Sequence, residues 1–162
     1  MMKKYFLLVT ILFASCAEQK QEPKTAGYSI RGEEESYMIG SDETTDFIRK
    51  WADAHNERDM ESILSMEKAD IKIELPDGTV INGQDEHSKV LESFFANNVT
   101  WKPYWMLPYN SVIAKETWVI AGFALTSNVD GEENVVLHMG DIQLEDGLVS
   151  RIIVYENQRP KK

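Results

Sequence analysis

Several hydrogen-bonding side chains fall on two neighbouring predicted strands near the end of the chain. The set comprises His138, Asp141, Tyr155 and Asn157, together with His55 on the first predicted helix. A histidine and a carboxylate in one pocket could perform general acid and base catalysis. Strand alternation limits this hypothesis, because His138 shares its face with Gly140 while Asp141 points to the opposite side. Without a bulge at Gly140 the two cannot line one pocket, so we favour His138 as a hydrogen-bonded sheet residue.

The sequence does not favour metal, nucleophilic or phosphate-binding chemistry. The three histidines, His55, His87 and His138, are scattered and lack ligand spacing such as i and i+4. Cys16 is the single cysteine, and there is no Gly-x-Ser-x-Gly elbow or glycine-rich phosphate loop. We therefore expect no metal and no cofactor.

Aromatic residues are dense on two predicted strands: Trp101, Tyr104, Trp105, Tyr109 and Trp118. Such residues can line an apolar pocket, bury a dimer face or pack in the core. Alternation places Trp101, Pro103 and Trp105 on one face of their strand and Tyr104 on the other. Both faces of the sheet are then covered, which favours a homodimer. The predicted ligand pocket comprises Trp51, His55, Trp105, Trp118, Tyr155 and Asn157.

Three helices are predicted in the first half of the domain. Ser41-Asp42 begins the first, whose apolar stripe includes Trp51 and His55. Asp59 can cap a short second helix, and a third follows Asn82-Gly83 with His87 on its apolar side. Between the second and third helices, residues 71–75 and 79–81 form a short hairpin.

Long strands are predicted for the second half, over residues 99–106, 112–126, 134–145 and 148–157. The turn signals between them are Pro108, Asp130-Gly131 and Asp146-Gly147. Helices followed by an antiparallel meander indicate an α+β domain. Strands this long in a small domain should curve and shelter a hollow.

The first 16 residues have the pattern of an export signal. Lys3 and Lys4 precede an apolar run, and Ala14-Ser15-Cys16 supplies small residues for cleavage. The run is about half of the ~20 residues that a membrane-spanning helix needs. The segment resembles the signal and lipobox of a bacterial lipoprotein, with ordinary secretion as the alternative because Phe13 is a poorer match than leucine. The resemblance implies a lipid on Cys16, which would place the domain outside the cytoplasm in the cell envelope, with the outer membrane mildly preferred.

Four segments follow from these patterns. They are a removed signal peptide (residues 1–15), a lipidated cysteine with a flexible tether (16–41), the folded domain (42–158) and a basic tail (159–162). Removing the signal leaves 15 basic and 27 acidic residues, a formal charge of −12. Such a surface repels phosphate backbones and anionic lipid headgroups, so we expect no nucleic-acid partner and expect the lipid to provide the membrane attachment.

The order of elements over about residues 44–157 resembles the nuclear transport factor 2-like (NTF2-like) superfamily, in its polyketide-cyclase-like (SnoaL-like) branch. The resemblance is carried by Trp51 followed by Asp59, the strand 71–75, Asn82-Gly83, and Asp146-Gly147 before the last strand. It implies a cone-shaped α+β barrel, with three N-terminal helices packed on a strongly curved antiparallel sheet. It also implies an internal pocket and often a dimer through the sheet, but no single activity.

Ketosteroid isomerases in that superfamily suggest candidate catalytic positions. By resemblance, Glu74 corresponds to their proton-shuttling carboxylate, and Asp141 lies near their second carboxylate. Trp51 stands where they have a tyrosine, and an indole N–H is a weaker donor than a phenol. We therefore favour Glu74 as a solvated strand residue, and leave the catalytic residues unassigned, with Glu74, His138 and Asp141 as candidates.

The function expected from the sequence is that of a membrane-anchored extracytoplasmic domain that binds a small apolar or amphipathic ligand. One alternative is an enzyme of the cyclase or isomerase type that uses acid and base residues in the pocket. The other alternative is a scaffold that meets a protein partner through the face of its sheet.

Overall fold

The structure is a computed structural model that describes residues 25, 27–29, 35–129 and 131–157. Cys16, the signal segment, much of the predicted tether and the basic tail lie outside the described residues. The helices are α1 (Asp42–Glu57), α2 (Met60–Ser65) and α3 (Gly83–Ala96). The strands are β1 (Gly27–Ser29), β2 (Glu35–Ile39), β3 (Glu67–Glu74), β4 (Val80–Asn82), β5 (Thr100–Ser111), β6 (Thr117–Val129), β7 (Glu132–Glu145) and β8 (Leu148–Asn157). Among the described residues, no helix has the length and apolar character to cross a bilayer.

One curved eight-stranded sheet, in the order β1-β2-β5-β6-β7-β8-β3-β4, supports the three helices. The α+β class predicted from the sequence is confirmed, but the sheet is not purely antiparallel. Strands β3 and β8 pair in parallel, whereas the other neighbours are antiparallel. The parallel pair arises because the chain crosses through α3 after the first hairpin, and the meander then returns its last strand beside β3.

The core lies between the helices and one face of the sheet. From the helices it takes Ile48, Ala52, Ile63 and Leu91, and from the sheet Ile71, Val119, Ile142 and Ile152. The helices form where the periodicity predicts them. Asp59 caps α2 as expected, since its carboxylate accepts from the Ser62 backbone N–H at 3.0 Å and from the Ser62 hydroxyl at 2.6 Å.

Pro108 does not make the predicted turn. Pro108 pairs with Val119 of β6, and β5 continues beyond it to Ser111. The connection to β6 instead covers residues 112–116. The Pro108 carbonyl accepts from the Gly40 N–H at 2.8 Å, just beyond the end of β2. The N–H and C=O of a residue point to the same side of an antiparallel strand, so an N–H at residue 108 would also point towards Gly40. Because β2 ends at Ile39, proline can occupy this position without breaking the pairing of β5 with β2.

Part of the predicted tether belongs to the sheet. Strand β2 pairs with β5, and β1 extends the same edge. The Tyr37 ring meets the Tyr109 ring edge to face, with centroids 5.4 Å apart, and the Val112 N–H donates to the Ser36 carbonyl at 2.9 Å. The ordered chain therefore begins before residue 42, because these side chains gain aromatic contact and backbone pairing that a solvated linker lacks.

Candidate functional site

An apolar cavity of about 100 Å³ lies between the helices and the inner face of the sheet. The helices contribute Trp51, His87, Val90 and Phe94. The sheet contributes Ile73, Leu75, Ile81, Trp101, Phe123, Leu125, His138, Gly140, Ile142, Ile152 and Val154. Polar side-chain atoms at this lining come from two tryptophans and two histidines. The cavity is therefore suited to an apolar molecule with few hydrogen-bonding groups.

Beside the cavity, Glu67 at the start of β3 is buried with a side-chain exposure of 0%. Its Oε1 accepts from the Trp51 indole N–H at 2.8 Å, and its Oε2 lies 3.0 Å from His87 Nδ1. Trp51 is supplied by α1 and His87 by α3, so three elements meet at this carboxyl group. Hydrogen bonds from two sides compensate the cost of burying a polar group that would otherwise lose its hydration.

His87 is oriented by Glu67 and also lines the cavity. An ionised carboxylate only accepts hydrogen bonds, so an ionised Glu67 receives the proton that His87 carries on Nδ1. In the neutral ring, Nε2 then has a free lone pair that can accept a proton. A histidine positioned by a buried acid is the arrangement that general base catalysis uses.

His55 has a buried ring nitrogen without a partner. Its Nδ1 lies 2.7 Å from the Trp51 carbonyl, which can only accept, so Nδ1 carries the proton and Nε2 does not. Within the described part of the chain, His55 Nε2 is the buried side-chain polar atom that lacks a hydrogen bond. The pKa of His55 is lowered to about 3, mainly by burial and in small part by the nearby His87, while the bond to Trp51 opposes the shift. The ring is therefore neutral at physiological pH.

His55, Glu67 and His87 form one cluster, in which one potential ligand atom from each residue lies within 4.8 Å of the others. No metal was expected from the sequence because the histidines are far apart in the chain, but the fold brings the rings of His55 and His87 to a centroid distance of 6.0 Å. That reasoning also missed Glu67. Strand parity gives no signal for it, because Ala69 of the same parity is exposed and the pairing of β3 with β8 shifts between Glu67 and Lys72.

Strand β7 alternates as predicted around Gly140. His138 and Gly140 line the cavity, and Asp141 points to the outer face, where the Tyr109 hydroxyl donates to it at 2.9 Å. Burial raises the pKa of Asp141, although the bond from Tyr109 opposes this shift. His138 Nε2 lies 3.4 Å from a Glu156 carboxylate oxygen, which gives it the sheet hydrogen bond expected from the sequence.

Glu74 lies outside the cavity lining and is held by two cations. Its Oε1 accepts from Arg151 Nη2 at 2.6 Å and lies 3.0 Å from Lys72 Nζ. The hydrogen bonds from Lys72 and then Arg151 keep the pKa of Glu74 below its usual value. An acid in this state stays ionised and engaged, so the structure does not place the three candidate catalytic residues around one substrate.

The predicted pocket residues are divided between the two faces of the sheet. Trp51 lines the cavity, and His55 is buried between the rings of Trp51 and Trp101, at centroid distances of 4.1 and 4.3 Å. The other four lie outside the cavity lining: Trp105, Trp118, Tyr155 and Asn157. On the outer face, the Trp118 ring is stacked on Tyr109 with centroids 6.3 Å apart.

A bulge in β5 explains why Trp105 does not accompany Trp101. The pairing of β5 with β6 shifts between Pro103 and Trp105, so alternation changes face at that point. Trp101 then lines the cavity, and Trp105 lies in an outer row with Met139 and Tyr155, across Gly122. The side chains of this row are 41–49% exposed and form an apolar stripe on the outer face.

Comparisons with known proteins identify the fold. No protein-family profile matches the sequence, and no curated protein is significantly similar to it. A protein provisionally named a ketosteroid isomerase from Kribbella flavida has a TM-score of 0.61 at 18% identity, over 76% of this chain and 84% of that one. A provisionally named polyketide cyclase from Xanthomonas campestris gives 0.57 at 14%, over 70% and 90%. An NTF2-like protein of unknown function from Cytophaga hutchinsonii gives 0.55 at 15%, over 70% and 89%. The chain therefore has the fold of NTF2-like proteins, which these named cyclases and isomerases share.

Proposed function

We propose that this protein binds a small, largely apolar molecule in its internal cavity, and that a lipid on Cys16 holds the domain at a bacterial membrane. The observation that carries the ligand proposal is the cavity itself, which is lined almost entirely by apolar side chains between α1, α3 and the sheet. The names of two structures with this fold, a ketosteroid isomerase and a polyketide cyclase, support it by analogy.

The size of the cavity restricts the ligand. Pockets for drug-sized molecules usually enclose about 300 to 1,000 Å³, whereas this cavity has about 100 Å³. The ligand is then compact, or it inserts only the apolar end of a larger amphipathic molecule. His87 and His138 offer the few polar contacts, so a ligand with one hydroxyl or carbonyl group fits better than a charged one.

Ligand binding is tested by tryptophan fluorescence and native mass spectrometry on a chain that carries Cys16→Ser. Trp51 and Trp101 line the cavity, so a series of small cyclic alcohols and ketones should quench emission saturably. Leu125→Trp fills the cavity and should abolish binding, whereas Val135→Trp, at a site 50% exposed, should not. If no member of the series binds, or if the two variants respond alike, the ligand proposal is wrong.

The membrane proposal has a separate test, because it depends only on the N-terminal pattern. In bacterial cells, labelled palmitate should be incorporated into the wild-type chain, which should sediment with membranes. Cys16→Ser should remove the label and release the protein from the membrane fraction. Unlabelled wild-type protein in the soluble fraction would indicate ordinary secretion instead.

A second candidate function is proton-transfer catalysis of the isomerase or cyclase type, and a specific contact favours it. The 3.0 Å contact between Glu67 and His87 orients a base at the cavity, a role that the sequence assigned to neither residue. Deuterium exchange into small cyclic ketones in D₂O, followed by NMR, would measure this activity. His87→Gln should reduce the rate by about 10² to 10⁴. A bound ketone that exchanges no faster than in buffer would exclude this function.

A homodimer through the outer face is part of the same proposal. Trp105, Met139 and Tyr155 give that face an apolar stripe of the kind that protein interfaces bury. Sedimentation velocity should show a dimer that Trp105→Glu converts to monomer. A wild-type monomer would instead favour the scaffold alternative, in which a different protein covers this stripe.

A further inference from the structure

We propose that His55, Glu67 and His87 bind a divalent transition-metal ion of the zinc class. This inference does not depend on the proposed ligand or on catalysis. Two imidazoles and one carboxylate are donors that suit zinc and its neighbours in the first transition series, whereas magnesium and calcium prefer oxygen alone. The three side chains come from α1, β3 and α3, and all are buried.

The unpartnered nitrogen of His55 is the observation that points to a ligand. His55 is 2% exposed, and its Nε2 has no hydrogen-bond partner in the described structure. The proton on Nδ1 is directed to the Trp51 carbonyl, so Nε2 presents a lone pair. Leaving a buried acceptor unsatisfied is costly, and a metal ion would use the lone pair directly.

The supporting contacts around the cluster are those of an outer coordination shell. Metal-binding histidines usually donate their second N–H to a carbonyl or a carboxylate, and His55 donates to the Trp51 carbonyl. The indole of the same residue donates to Glu67 Oε1, which leaves Oε2 directed towards His87. Trp51 thus fixes the orientation of two of the three donors.

The distances need only a small contraction. A metal held at about 2.0 to 2.2 Å from each donor places neighbouring donors roughly 3.0 to 3.5 Å apart. Glu67 Oε2 and His87 Nδ1 are already 3.0 Å apart, and the ligand atoms of the cluster lie within 4.8 Å of one another. A shift of His55 by roughly 1 Å would complete the site. His87 and Trp51 also line the cavity, so a remaining coordination position could be open to a bound molecule.

The test uses the full chain, stripped of metal by a chelator and then titrated with Zn²⁺ by calorimetry, with metal content measured after gel filtration. We expect about one equivalent of zinc, with His87 coordinating through Nδ1 while the proton of the neutral ring moves to Nε2. Co²⁺ in place of zinc should give ligand-field absorption bands of nitrogen and oxygen coordination. This spectrum is measured on the unchanged chain, so it does not depend on whether a variant folds.

Variants locate the ion. His55→Leu and Glu67→Gln should each weaken zinc binding by at least about tenfold. The matched control Glu92→Gln, at an exposed position on α3, should bind as the wild type does. His55→Leu also removes the unpartnered nitrogen, so we expect it to fold, as circular dichroism would verify. Zinc uptake well below one equivalent, absence of cobalt bands, or equal affinity of the wild type and His55→Leu would overturn the proposal.

Discussion

Gly140→Ala offers a direct test of the cavity, because this residue lies on its wall and has room for one more carbon. A Cβ at this position would lie 3.5 Å from Ile142 Cγ1 and 3.7 Å from Phe123 Cε2, which are ordinary van der Waals contacts. The backbone of Gly140 is not in the left-handed region, so alanine introduces no strain. The methyl group would therefore occupy space in the cavity without moving its walls.

The magnitude follows from two contributions. Burial of one carbon contributes about 0.8 kcal/mol, and the reduced freedom of the unfolded chain contributes about 0.4 to 1 kcal/mol. We expect Gly140→Ala to raise the free energy of unfolding by about 1 to 2 kcal/mol, as measured by urea denaturation. A ligand that fills the cavity should lose affinity by about tenfold or more, since one carbon in an apolar site changes affinity by about that factor.

Gly122→Ala is the matched control on the opposite face of the neighbouring strand. Its Cβ would lie 2.6 Å from Tyr104 Cζ and would also overlap the Trp105 indole, so these rings must move. We expect this variant to lose about 1 to 3 kcal/mol of stability while the cavity retains its affinity for ligand. If Gly140→Ala is destabilised as much as Gly122→Ala, or if ligand affinity falls only in the latter, the described cavity wall is wrong.

Three further predictions concern buried charge and the edge of the sheet. Glu67→Ala should lower the free energy of unfolding by about 3 kcal/mol or more, because two buried donors lose their acceptor, and Glu67→Gln should cost less; urea denaturation would compare them. Asp141→Asn should raise the free energy of unfolding at neutral pH by less than about 1 kcal/mol, because the group is only partly buried, and the asparagine can still accept from Tyr109; urea denaturation would measure the change. Because the pKa of Asp141 is raised, its ionised carboxylate destabilises the folded protein above the folded pKa, and this destabilisation disappears as the pH falls from that pKa to the usual aspartate pKa. If Asp141→Asn stabilised the protein equally at every pH, burial of the ionised carboxylate would not be the cause. A chain that begins at residue 42 should be about 1 to 3 kcal/mol less stable than one that begins at residue 26, because it lacks β1 and β2, and equal melting temperatures would mean that these strands contribute nothing.

The predictable parts of the fold are those set by local periodicity. The 3.6-residue repeat in α1 and the capping by Asp59 are short-range features, and both are present. Strand β8 has the predicted bounds because Asp146-Gly147 makes an unambiguous turn. The turn predicted at Pro108 was wrong because the effect of a proline in a strand depends on whether a neighbouring strand needs the missing N–H. Which strands are neighbours is known only from the assembled sheet.

The candidate site was less predictable because it depends on contacts between distant segments. His55 and His87 were correctly placed on the apolar sides of their helices, but nothing in their spacing says that α1 and α3 bring them within one cluster. Glu67 lies just after a helix and next to Lys68, and charged residues in such a place are usually exposed. Its burial follows from the start of β3 and from a tryptophan 16 residues earlier. Such a pairing requires the tertiary structure.

The bulge between Pro103 and Trp105 changes which face of β5 the odd-numbered residues occupy. Before it, an odd-numbered residue such as Trp101 faces the interior, whereas after it Trp105 faces outward. Tyr104 is the unpaired residue of the bulge, and deleting it would restore a regular ladder in which Trp101 still faces the interior and Trp105 still faces outward. Substitutions on either side of the bulge can therefore alter the cavity or the outer stripe separately, and removal of the unpaired Tyr104 should leave each of the other side chains on its present face.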